Sequence, residues 1–515
     1  MPPHVSADRV KAGSEAVEVE LKFEADGPVP ISGLLQVPEV AALVHPVEHQ
    51  LEAVYFDTAD LRLLRNRTTL RRRTGGTDEG WHLKLPRAAS ERLEVRRPLG
   101  RGVRTPPKDL ADLVRVHVRD EALIPVARLE TRRTVHRLLD AQGNALAEVA
   151  DDDVSGQSLA PEPAAYDWRE IEVELVTGDR LLLDRVGARL LATGCRPATN
   201  SSKVQRVLGK RLVPDPTPAE LTRKSSAGEV VLAHLREQSG ALKTWDPYAR
   251  QNKPDAVHKM RVASRRLRSA LATYRPLLDL EVTEPLRAEL KWLGGVLGLA
   301  RDAEVIHERL TRLLAEQPPD LVLGPVRRRL DLELRQRHRS ALNTVRAELN
   351  STRYFRLLDT LDALGDVGLR PDGDAGHHKA AKVLPALVGK ARRRVVKAAE
   401  QATVAEPGDA QDYQLHEVRK AAKRARYAAE SVAPIFGEPA TVLAGEMEAL
   451  QEVLGERQDS AASREVLRDL GVQAHLAGEN GFAFGLLHGA ELRASDDRAL
   501  TAIKAIEAKQ PKWLR

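Results

Sequence analysis

Two short segments alternate charged and apolar residues in a pattern that suits a metal site. Residues 18–23 read Glu-Val-Glu-Leu-Lys-Phe, and residues 169–175 read Arg-Glu-Ile-Glu-Val-Glu-Leu. Because successive side chains of a strand point to opposite faces, each segment would carry its carboxylates on one face and its apolar residues on the other. An unpaired charge is costly to bury. The charged faces are therefore expected to line a wet channel, where carboxylate oxygens suit a hard cation such as Mg²⁺ or Mn²⁺.

The segments between these two carry basic side chains. Arg71 and Arg73 share one face of residues 70–73, and Lys84 lies on the polar face of residues 81–85. Guanidinium and ammonium groups bind phosphate oxygens, and a guanidinium can do so with two parallel hydrogen bonds. An acidic wall that faces a basic wall would hold a short polyanion together with its metal ion.

This separation of acids from bases favours a closed or nearly closed antiparallel barrel over an ordinary sandwich. In such a barrel the apolar faces look outward under covering helices, and the charged faces line the lumen. A surface patterned with salt bridges is the alternative, but it does not account for acid-x-acid at both ends of the region. Opposed walls suit hydrolysis of a phosphoanhydride, which needs neutralised phosphoryl charge and an in-line water.

These segments resemble the CYTH domain, the family of triphosphate tunnel metalloenzymes, over residues 15–210. The resemblance implies an eight-stranded tunnel that binds a linear triphosphate with Mg²⁺ or Mn²⁺. The family includes inorganic triphosphatases, thiamine triphosphatases and one class of adenylate cyclase. The matching motifs are Glu18-x-Glu20-x-Lys22, Tyr55-Phe56-Asp57-Thr58, Leu70-Arg71-x-Arg73, Lys84, Glu148 with Asp152, Glu170-x-Glu172, and Ser202-Lys203.

The resemblance also implies a role for each matching residue. Lys22, Glu20 and Glu172 are expected to be catalytic. The carboxylates expected to bind the metal are Glu18, Glu20, Glu148, Asp152, Glu170 and Glu172. The residues expected to hold the triphosphate are Lys22, Arg71, Arg73, Lys84, Arg133 and Lys203. Arg133 is favoured over its neighbour Arg132, which points to the opposite face of the strand, but the sequence leaves this choice open.

The chain changes character after a segment punctuated by prolines. We expect a linker over residues 211–226 because Pro214, Pro216 and Pro218 punctuate it and it ends in two serines. Long helical periodicity follows, with few strand signals, which predicts an all-α region over residues 227–512.

The helical region contains an internal repeat. His258 precedes Asp302 by 44 residues, and within matching sequence His416 precedes Asp459 by 43. Agreement over so long a separation indicates a duplication. The predicted halves are residues 227–364 and 377–512, with a Gly-rich seam between them.

Each half carries one basic stripe that begins with a histidine. At about 100° per residue, the members of each stripe fall within an arc of roughly 80°. A single stripe of this kind is usually a solvated helix face, but the same spacing in both halves favours two stripes that face one cleft. The members are His258, Arg261, Arg265 and Arg268 in the first half, and His416, Arg419, Lys423 and Arg426 in the second.

The repeated segment resembles the CHAD domain over residues 225–510. The resemblance implies two pseudo-symmetric four-helix bundles whose basic surface, here the two stripes, binds inorganic polyphosphate. Nucleic acid is the alternative polyanion. It is disfavoured because the stripes are not interleaved with stacking aromatic residues and because zinc-finger and RNA-binding motifs are not found in the sequence.

Composition limits the remaining choices. The 515 residues include 80 basic and 74 acidic ones, so the net charge of +6 is a small difference and local clusters should decide the partners. A single cysteine, Cys195, excludes an intrachain disulfide and fits a reducing compartment. Residues 1–14 lack an apolar run, and the sequence contains no apolar stretch of about 18 residues. These features predict a cytoplasmic protein without a membrane partner. The polyphosphate binding that the CHAD resemblance implies adds polyphosphate granules as a further expected location.

The sequence thus predicts an α+β protein. An N-terminal antiparallel β-barrel tunnel with covering helices is followed by an all-α domain of two pseudo-symmetric helical bundles. The predicted function is metal-dependent hydrolysis of inorganic triphosphate, combined with polyphosphate binding. A thiamine- or nucleoside-triphosphatase, an adenylate cyclase and a non-catalytic polyphosphate-binding protein stay open as alternatives. The preferred metal, the coupling of the domains, the oligomeric state and any protein partners also stay open.

Overall fold

The computed structural model covers most of the chain. It describes residues 15–88, 91–100, 105–159, 164–200, 202–212, 220–367, 369–370, 374–494, 498–506 and 511–514. The chain divides into two compact units, Met1–Pro216 and Thr217–Arg515. This division falls inside the segment that the sequence predicts as a linker.

The first unit contains an antiparallel sheet that closes on itself. Eight strands form a ring in the order β1-β6-β5-β4-β3-β7-β8-β9, and β9 pairs back with β1. The short strands β2 and β10 pair with β7 and β1. The predicted tunnel architecture is confirmed. The strands are β1 (Glu15–Ala25), β2 (Ala42–Leu43), β3 (Val47–Asp57), β4 (Thr69–Thr74), β5 (Gly80–Ala88), β6 (Glu91–Arg97), β7 (Ile124–Leu139), β8 (Ala145–Ser158), β9 (Ala165–Leu175) and β10 (Arg196–Pro197).

The outward faces of the ring are apolar and are covered by helices, as the alternation of the strands predicts. The helices of this unit are α1 (Arg62–Arg65), α2 (Lys108–Val118), α3 (Arg180–Ala192) and α4 (Lys203–Leu208). On α3, Val186 belongs to one buried cluster with Phe23 and Ile171 of the ring. Gly187 permits this close packing, since a Cβ there would lie 3.2 Å from both Leu21 Cδ1 and Phe23 Cζ.

The second unit is helical throughout its described part, as predicted. Two series of helices follow each other, with α5 to α9 in the first and α10 to α14 in the second. The helices are α5 (Ala227–Arg250), α6 (Ala256–Thr273), α7 (Leu280–Ala315), α8 (Val326–Leu349), α9 (Thr352–Val367), α10 (Ala380–Val404), α11 (Asp409–Phe436), α12 (Glu438–Leu476), α13 (Phe482–Ala494) and α14 (Arg498–Lys504). Measured by length and hydropathy, none of the helices in the described residues qualifies as a membrane span.

The two halves of the helical unit pack on each other through the helices that carry the stripes. The hydroxyl groups of Tyr274, just after α6, and Ser431 on α11 are 2.6 Å apart in a buried hydrogen bond. Arg266 on α6 donates to Glu430 on α11 at 3.0 Å. These contacts fix α6 beside α11, so their basic faces lie next to each other.

Candidate functional site

Three carboxylates of neighbouring strands meet inside the ring. Asp152 on β8 is in register with Glu170 on β9, and Glu172 lies two residues further along β9. One oxygen of each carboxylate lies within 4.8 Å of the others, and Asp152 and Glu170 are buried. An all-oxygen donor set of this kind suits a hard divalent cation. These residues therefore fit Mg²⁺ or Mn²⁺.

Three cations contact this acidic cluster. The Nζ atom of Lys203 lies 2.9 Å from Asp152, 2.5 Å from Glu170 and 2.8 Å from Glu172. Arg133 donates to Asp152 at 2.7 and 2.6 Å and to Glu172 at 2.6 Å. Burial opposes ionisation of Glu172, but Lys203, Lys22 and Arg133 outweigh it and hold the pKa of this carboxyl well below its usual range. Glu172 is thus ionised at neutral pH.

Lys22 joins the acidic cluster to the strand on its other side. Its ammonium group is paired with Glu172 and lies 3.2 Å from Glu20. Burial disfavours the charged lysine, yet Glu172 and Glu20 raise its pKa above the usual value. Lys22 is therefore a permanent cation held between two carboxylates.

A cavity lies inside the ring, and its wall opposite Glu20 and Glu172 is basic. Arg71 and Arg73 on β4 and Lys84 on β5 line it. The Nη1 atom of Arg71 donates to the Tyr55 hydroxyl at 3.3 Å, and Arg73 forms an ion pair with Asp78. Burial, followed by the charges of Arg71 and Arg133, lowers the pKa of Arg73 well below its ordinary value. The positive charge around Arg73 is therefore compensated incompletely by its neighbours.

Two of these guanidinium groups have unused donors. Among the described residues, the buried Nε atoms of Arg71 and Arg73 have no hydrogen-bond partner. A buried donor without an acceptor is destabilising, by about 1–3 kcal/mol for a typical polar group. Anionic oxygens inside the cavity would satisfy both donors.

The other residues that the sequence suggests for the tunnel do not all contact the carboxylate cluster. Arg132 is paired at 2.6 Å with Asp153, and its side chain is 60% exposed, so Arg133 is the one that faces the tunnel. Glu148 pairs with Arg137 at 2.7 Å and does not belong to the three-carboxylate cluster. The side chain of Glu18 lies outside the described residues, although its backbone pairs with that of Arg92.

Sequence reasoning missed several residues of the cavity. Arg92, Glu94 and Arg96 line it, and their alternation along β6 is the signal that could have found them. Asp78 also lines it, but it lies in the turn after β4, where no periodicity marks its direction. The fully buried His82 lies behind this wall, with Nδ1 2.8 Å from Glu94 Oε1 and Nε2 donating to the Asp78 carbonyl at 2.8 Å.

In the helical unit, the two stripes meet at their centres. We call the group formed by Arg261 and Arg265 on α6, with Arg419 and Lys423 on α11, the basic cleft. Burial is the largest influence on Lys423, and the charges of Arg265, Arg419 and Arg261 add to it and lower its pKa to about 7. Charges from both helices therefore act on one ammonium group. That the two stripes form one binding cleft stays a prediction.

In each half of the cleft, a glycine at the equivalent position leaves room for one arginine. A Cβ added to Gly298 would lie 3.4 Å from Arg261 Nη2, and a Cβ added to Gly455 would lie 2.8 Å from Arg419 Nη2. Among the described residues, the Nε atoms of both arginines are buried without a hydrogen-bond partner. Leu297-Gly298 recurs in the second half as Leu454-Gly455, and in both places the glycine leaves room for a guanidinium group.

The outer members of the stripes differ between the halves. Arg268 has a pKa lowered by burial and by neighbouring arginines, whereas Arg426 donates to Glu430 at 2.7 Å and lies 2.7 Å from Glu448. His258 is partly buried and His416 is exposed, and burial lowers the pKa of both. The duplicated sequence therefore keeps Arg261 and Arg419 equivalent at the centre of the cleft, while Lys423 replaces an arginine there and the ends of the stripes differ.

Known proteins match the chain in both units. A CYTH domain family model matches residues 16–206, and a CHAD domain model matches residues 233–468. Uncharacterized protein MT2285 of Mycobacterium tuberculosis (strain CDC 1551 / Oshkosh) is 40% identical over 492 residues, which cover 92% of this chain and 93% of that protein. The chain belongs to the family of proteins in which a CYTH domain precedes a CHAD domain, and both predicted resemblances are confirmed.

Solved structures resemble parts of the chain. PptA from Streptomyces chartreusis is 22% identical, covers 54% of this chain and 98% of its own, and superposes with a TM-score of 0.46. The CHAD domain from the plant Ricinus communis is 24% identical, covers 58% of this chain and 99% of its own, and has a TM-score of 0.44.

Proposed function

We propose that the first unit hydrolyses inorganic triphosphate with Mg²⁺ or Mn²⁺, and that the second unit binds inorganic polyphosphate. One observation carries the catalytic half of this proposal. The buried Nε donors of Arg71 and Arg73 lack partners in a cavity that Glu20 and Glu172 also line, and Glu172 belongs to the cluster of three carboxylates. A linear triphosphate with a divalent cation would satisfy both walls at once.

The residues that this proposal uses have different tasks. Arg71, Arg73 and Lys84 bind phosphate oxygens, and Arg133 and Lys203 balance charge between the anion and the acids. Glu20, Asp152, Glu170 and Glu172 would hold the cation. When bound, the cation neutralises phosphate charge and orients the attacking water. Lys22, held by Glu20 and Glu172, supplies a fixed positive charge beside the phosphate.

Substrate comparison tests the catalytic proposal. Phosphate release and cyclic AMP formation should be measured with triphosphate, thiamine triphosphate and ATP, each with Mg²⁺ and with Mn²⁺. We expect the highest kcat/KM for inorganic triphosphate, because the cavity walls offer charge along their whole length. Dominant cyclic AMP formation from ATP, or a preference for thiamine triphosphate, would overturn the choice of substrate.

Polyphosphate binding rests on the symmetry of the basic cleft. Arg261 and Arg419 each present a buried, unused donor, and both lie beside a second basic side chain of their own helix. A long chain of phosphates can contact both halves together, so its affinity gains from multivalency and from release of condensed counterions. Binding should accordingly weaken steeply as the salt concentration rises.

Charge reversal tests the binding proposal. Polyphosphate and single-stranded DNA of matched charge should be titrated into the full chain without divalent cations, which prevents turnover. We expect polyphosphate to bind more tightly, and Arg261→Glu/Arg419→Glu to weaken it at least about tenfold, since each reversal opposes a desolvated phosphate contact. The matched control is Arg335→Glu/Arg337→Glu, which changes the same charge on exposed α8 residues. A preference for DNA, or equal losses in both variants, would contradict polyphosphate recognition by the cleft.

A further inference from the structure

The basic cleft contains one lysine where the duplication would place a fourth arginine. Lys423 on α11 corresponds to Arg265 on α6. It is half-buried and lies one helical turn after Arg419, on the helix that the Arg266–Glu430 contact holds beside α6. The charges of Arg265, Arg419 and Arg261, and of Asp459 on α12, act on it. The cleft thus places four basic groups around a position that only partly reaches solvent.

Few acids offset these four cations. Asp302 on α7 contacts Arg261 at 3.1 Å, and Asp459 acts on both Arg419 and Lys423. Repulsion among the basic groups is relieved if one of them loses its proton. Guanidinium groups stay charged in proteins, whereas an ammonium group releases its proton readily when buried near other cations. Lys423 is therefore the member that titrates, and its pKa of about 7 agrees with this geometry.

We propose that the basic cleft takes up one proton at Lys423 when it binds a polyphosphate chain. The neutral amine accepts the proton from the buffer, whose conjugate base remains in solution. The phosphate oxygens attract the cations and offset their mutual repulsion. The ammonium form of Lys423 is therefore favoured in the complex. The inference rests on the proposed polyphosphate binding and adds that this binding depends on pH.

The sign of the pH effect follows from linkage. Above the pKa of free Lys423, binding must draw a proton from solution, so affinity falls as pH rises. With a free pKa of about 7 and a fully protonated complex, affinity should fall about 15-fold between pH 7 and pH 8.5. At pH 7.5, binding should take up about three quarters of a proton.

Calorimetry of the full chain measures this uptake directly. Long-chain polyphosphate is titrated without divalent cations at pH 7.5 in two buffers that differ in protonation enthalpy. The difference in apparent binding enthalpy gives the number of protons. We expect wild type to exceed Lys423→Arg by about three quarters of a proton, because arginine stays charged over this range. Affinity measured from pH 7 to 8.5 should fall in wild type more than in Lys423→Arg.

Two further variants make the outcome decisive. Lys420→Arg alters an exposed lysine on the same helix that is paired with Glu417, and it should behave as wild type. Lys423→Met cannot gain a proton there and should lose the same uptake as Lys423→Arg. His258 and the amino terminus stay in every variant, so their protons cancel. Besides burial, Lys423 lowers the pKa of His416, so Lys423→Arg, which keeps a positive charge near His416, is the decisive comparison. Equal uptake in wild type and both Lys423 variants would overturn this inference alone, whereas absence of polyphosphate binding by wild type would overturn the proposed function and the inference with it.

Discussion

The tunnel and the basic cleft hold their cations in opposite ways. In the tunnel, Lys22 and Lys203 are each bonded to at least two buried or half-buried carboxylates, which raise their pKa values above the usual range. In the cleft, burial and then the charges of the surrounding arginines lower the pKa of Lys423. The same kind of side chain is thus a fixed charge in one unit and a titrating group in the other.

This difference separates the two proposed activities. A hydrolase needs cations and acids that stay in place while charge moves on the substrate, because preorganised groups act without reorganisation. The tunnel has both kinds of group in one cavity. A surface that only holds a polyanion needs positive charge without a compensating acidic cluster, and the cleft fits that description.

The largest expected effect follows from loss of the Glu172 carboxylate in the tunnel. Glu172→Gln keeps the side-chain shape but removes the charge that contacts Lys22, Arg133 and Lys203. We expect turnover of triphosphate to fall by about 100-fold or more, since an acid shared by the metal cluster and three cations is lost. Phosphate release is the readout, and a thermal unfolding curve verifies that the variant is folded.

Glu148→Gln is the matched control for this change. Glu148 lies on β8 and is paired with Arg137, away from the cluster of Asp152, Glu170 and Glu172. The sequence assigns it to the metal, whereas its position predicts less than about a threefold effect, as for an exposed ion pair. Equal losses in the two variants would contradict the assignment of catalysis to the three-carboxylate cluster.

A smaller effect is expected from the basic wall of the tunnel. Arg73→Ala removes a buried guanidinium that offers a free donor, while the carboxylate cluster stays intact. We expect KM for triphosphate to rise about 10- to 100-fold, which corresponds to one charge-assisted contact. The apparent affinity for the activating metal should change little. Steady-state kinetics with separate substrate and metal titrations distinguishes the two.

Arg72→Ala provides the comparison on the same strand. Arg72 neighbours Arg73 on β4, so its side chain points to the other face of the sheet. Its loss should leave KM unchanged within about twofold, although stability can change, because only packing outside the tunnel is altered. If Arg72→Ala raised KM as much as Arg73→Ala, the assignment of Arg73 and not Arg72 to the tunnel face of β4 would be wrong.

The sequence predicts the inward residues of the tunnel well because a strand has a fixed period of two. Glu20, Lys22, Arg71 and Arg73 all follow from that alternation and line one cavity. Adjacent Arg132 and Arg133 could not be separated in this way, since the choice depends on register. Pairing of Arg133 with Asp152 across β7 and β8 decides it.

Long-range contacts account for what the sequence did not predict. Helical periodicity groups Arg419, Lys423 and Arg426 on one face of α11, but it does not show which acids approach from other helices. Glu448 reaches Arg426 from α12 and neutralises it. Asp78 enters the tunnel from a turn that begins with Gly75 and Gly76, both at a φ of +78°, where the chain direction is set by the turn and not by strand alternation.

The smallest expected effect tests how far the two halves of the cleft contribute equally to polyphosphate binding. An alanine Cβ at Gly455 would approach Arg419 Nη2 to 2.8 Å, but at Gly298 it would reach only 3.4 Å from Arg261 Nη2. Gly455→Ala must therefore displace its arginine further. We expect polyphosphate affinity to fall about fivefold for Gly455→Ala and less for Gly298→Ala, the loss expected when one contact of about 1 kcal/mol weakens.

Neighbouring glycines of the same helices supply the controls for this pair. A Cβ at Gly294 on α7 would meet Ser264 Oγ at 3.9 Å, and one at Gly445 on α12 would meet nothing within 4 Å. Alanine at these positions should leave affinity unchanged and, by helix propensity, raise stability by up to about 1 kcal/mol. Titrations of all four variants with polyphosphate, beside their thermal unfolding, separate the two effects. If Gly455→Ala bound polyphosphate as tightly as Gly445→Ala, the position of Arg419 beside Gly455 would have no part in recognition. Polyphosphate would then contact the cleft through its other basic groups.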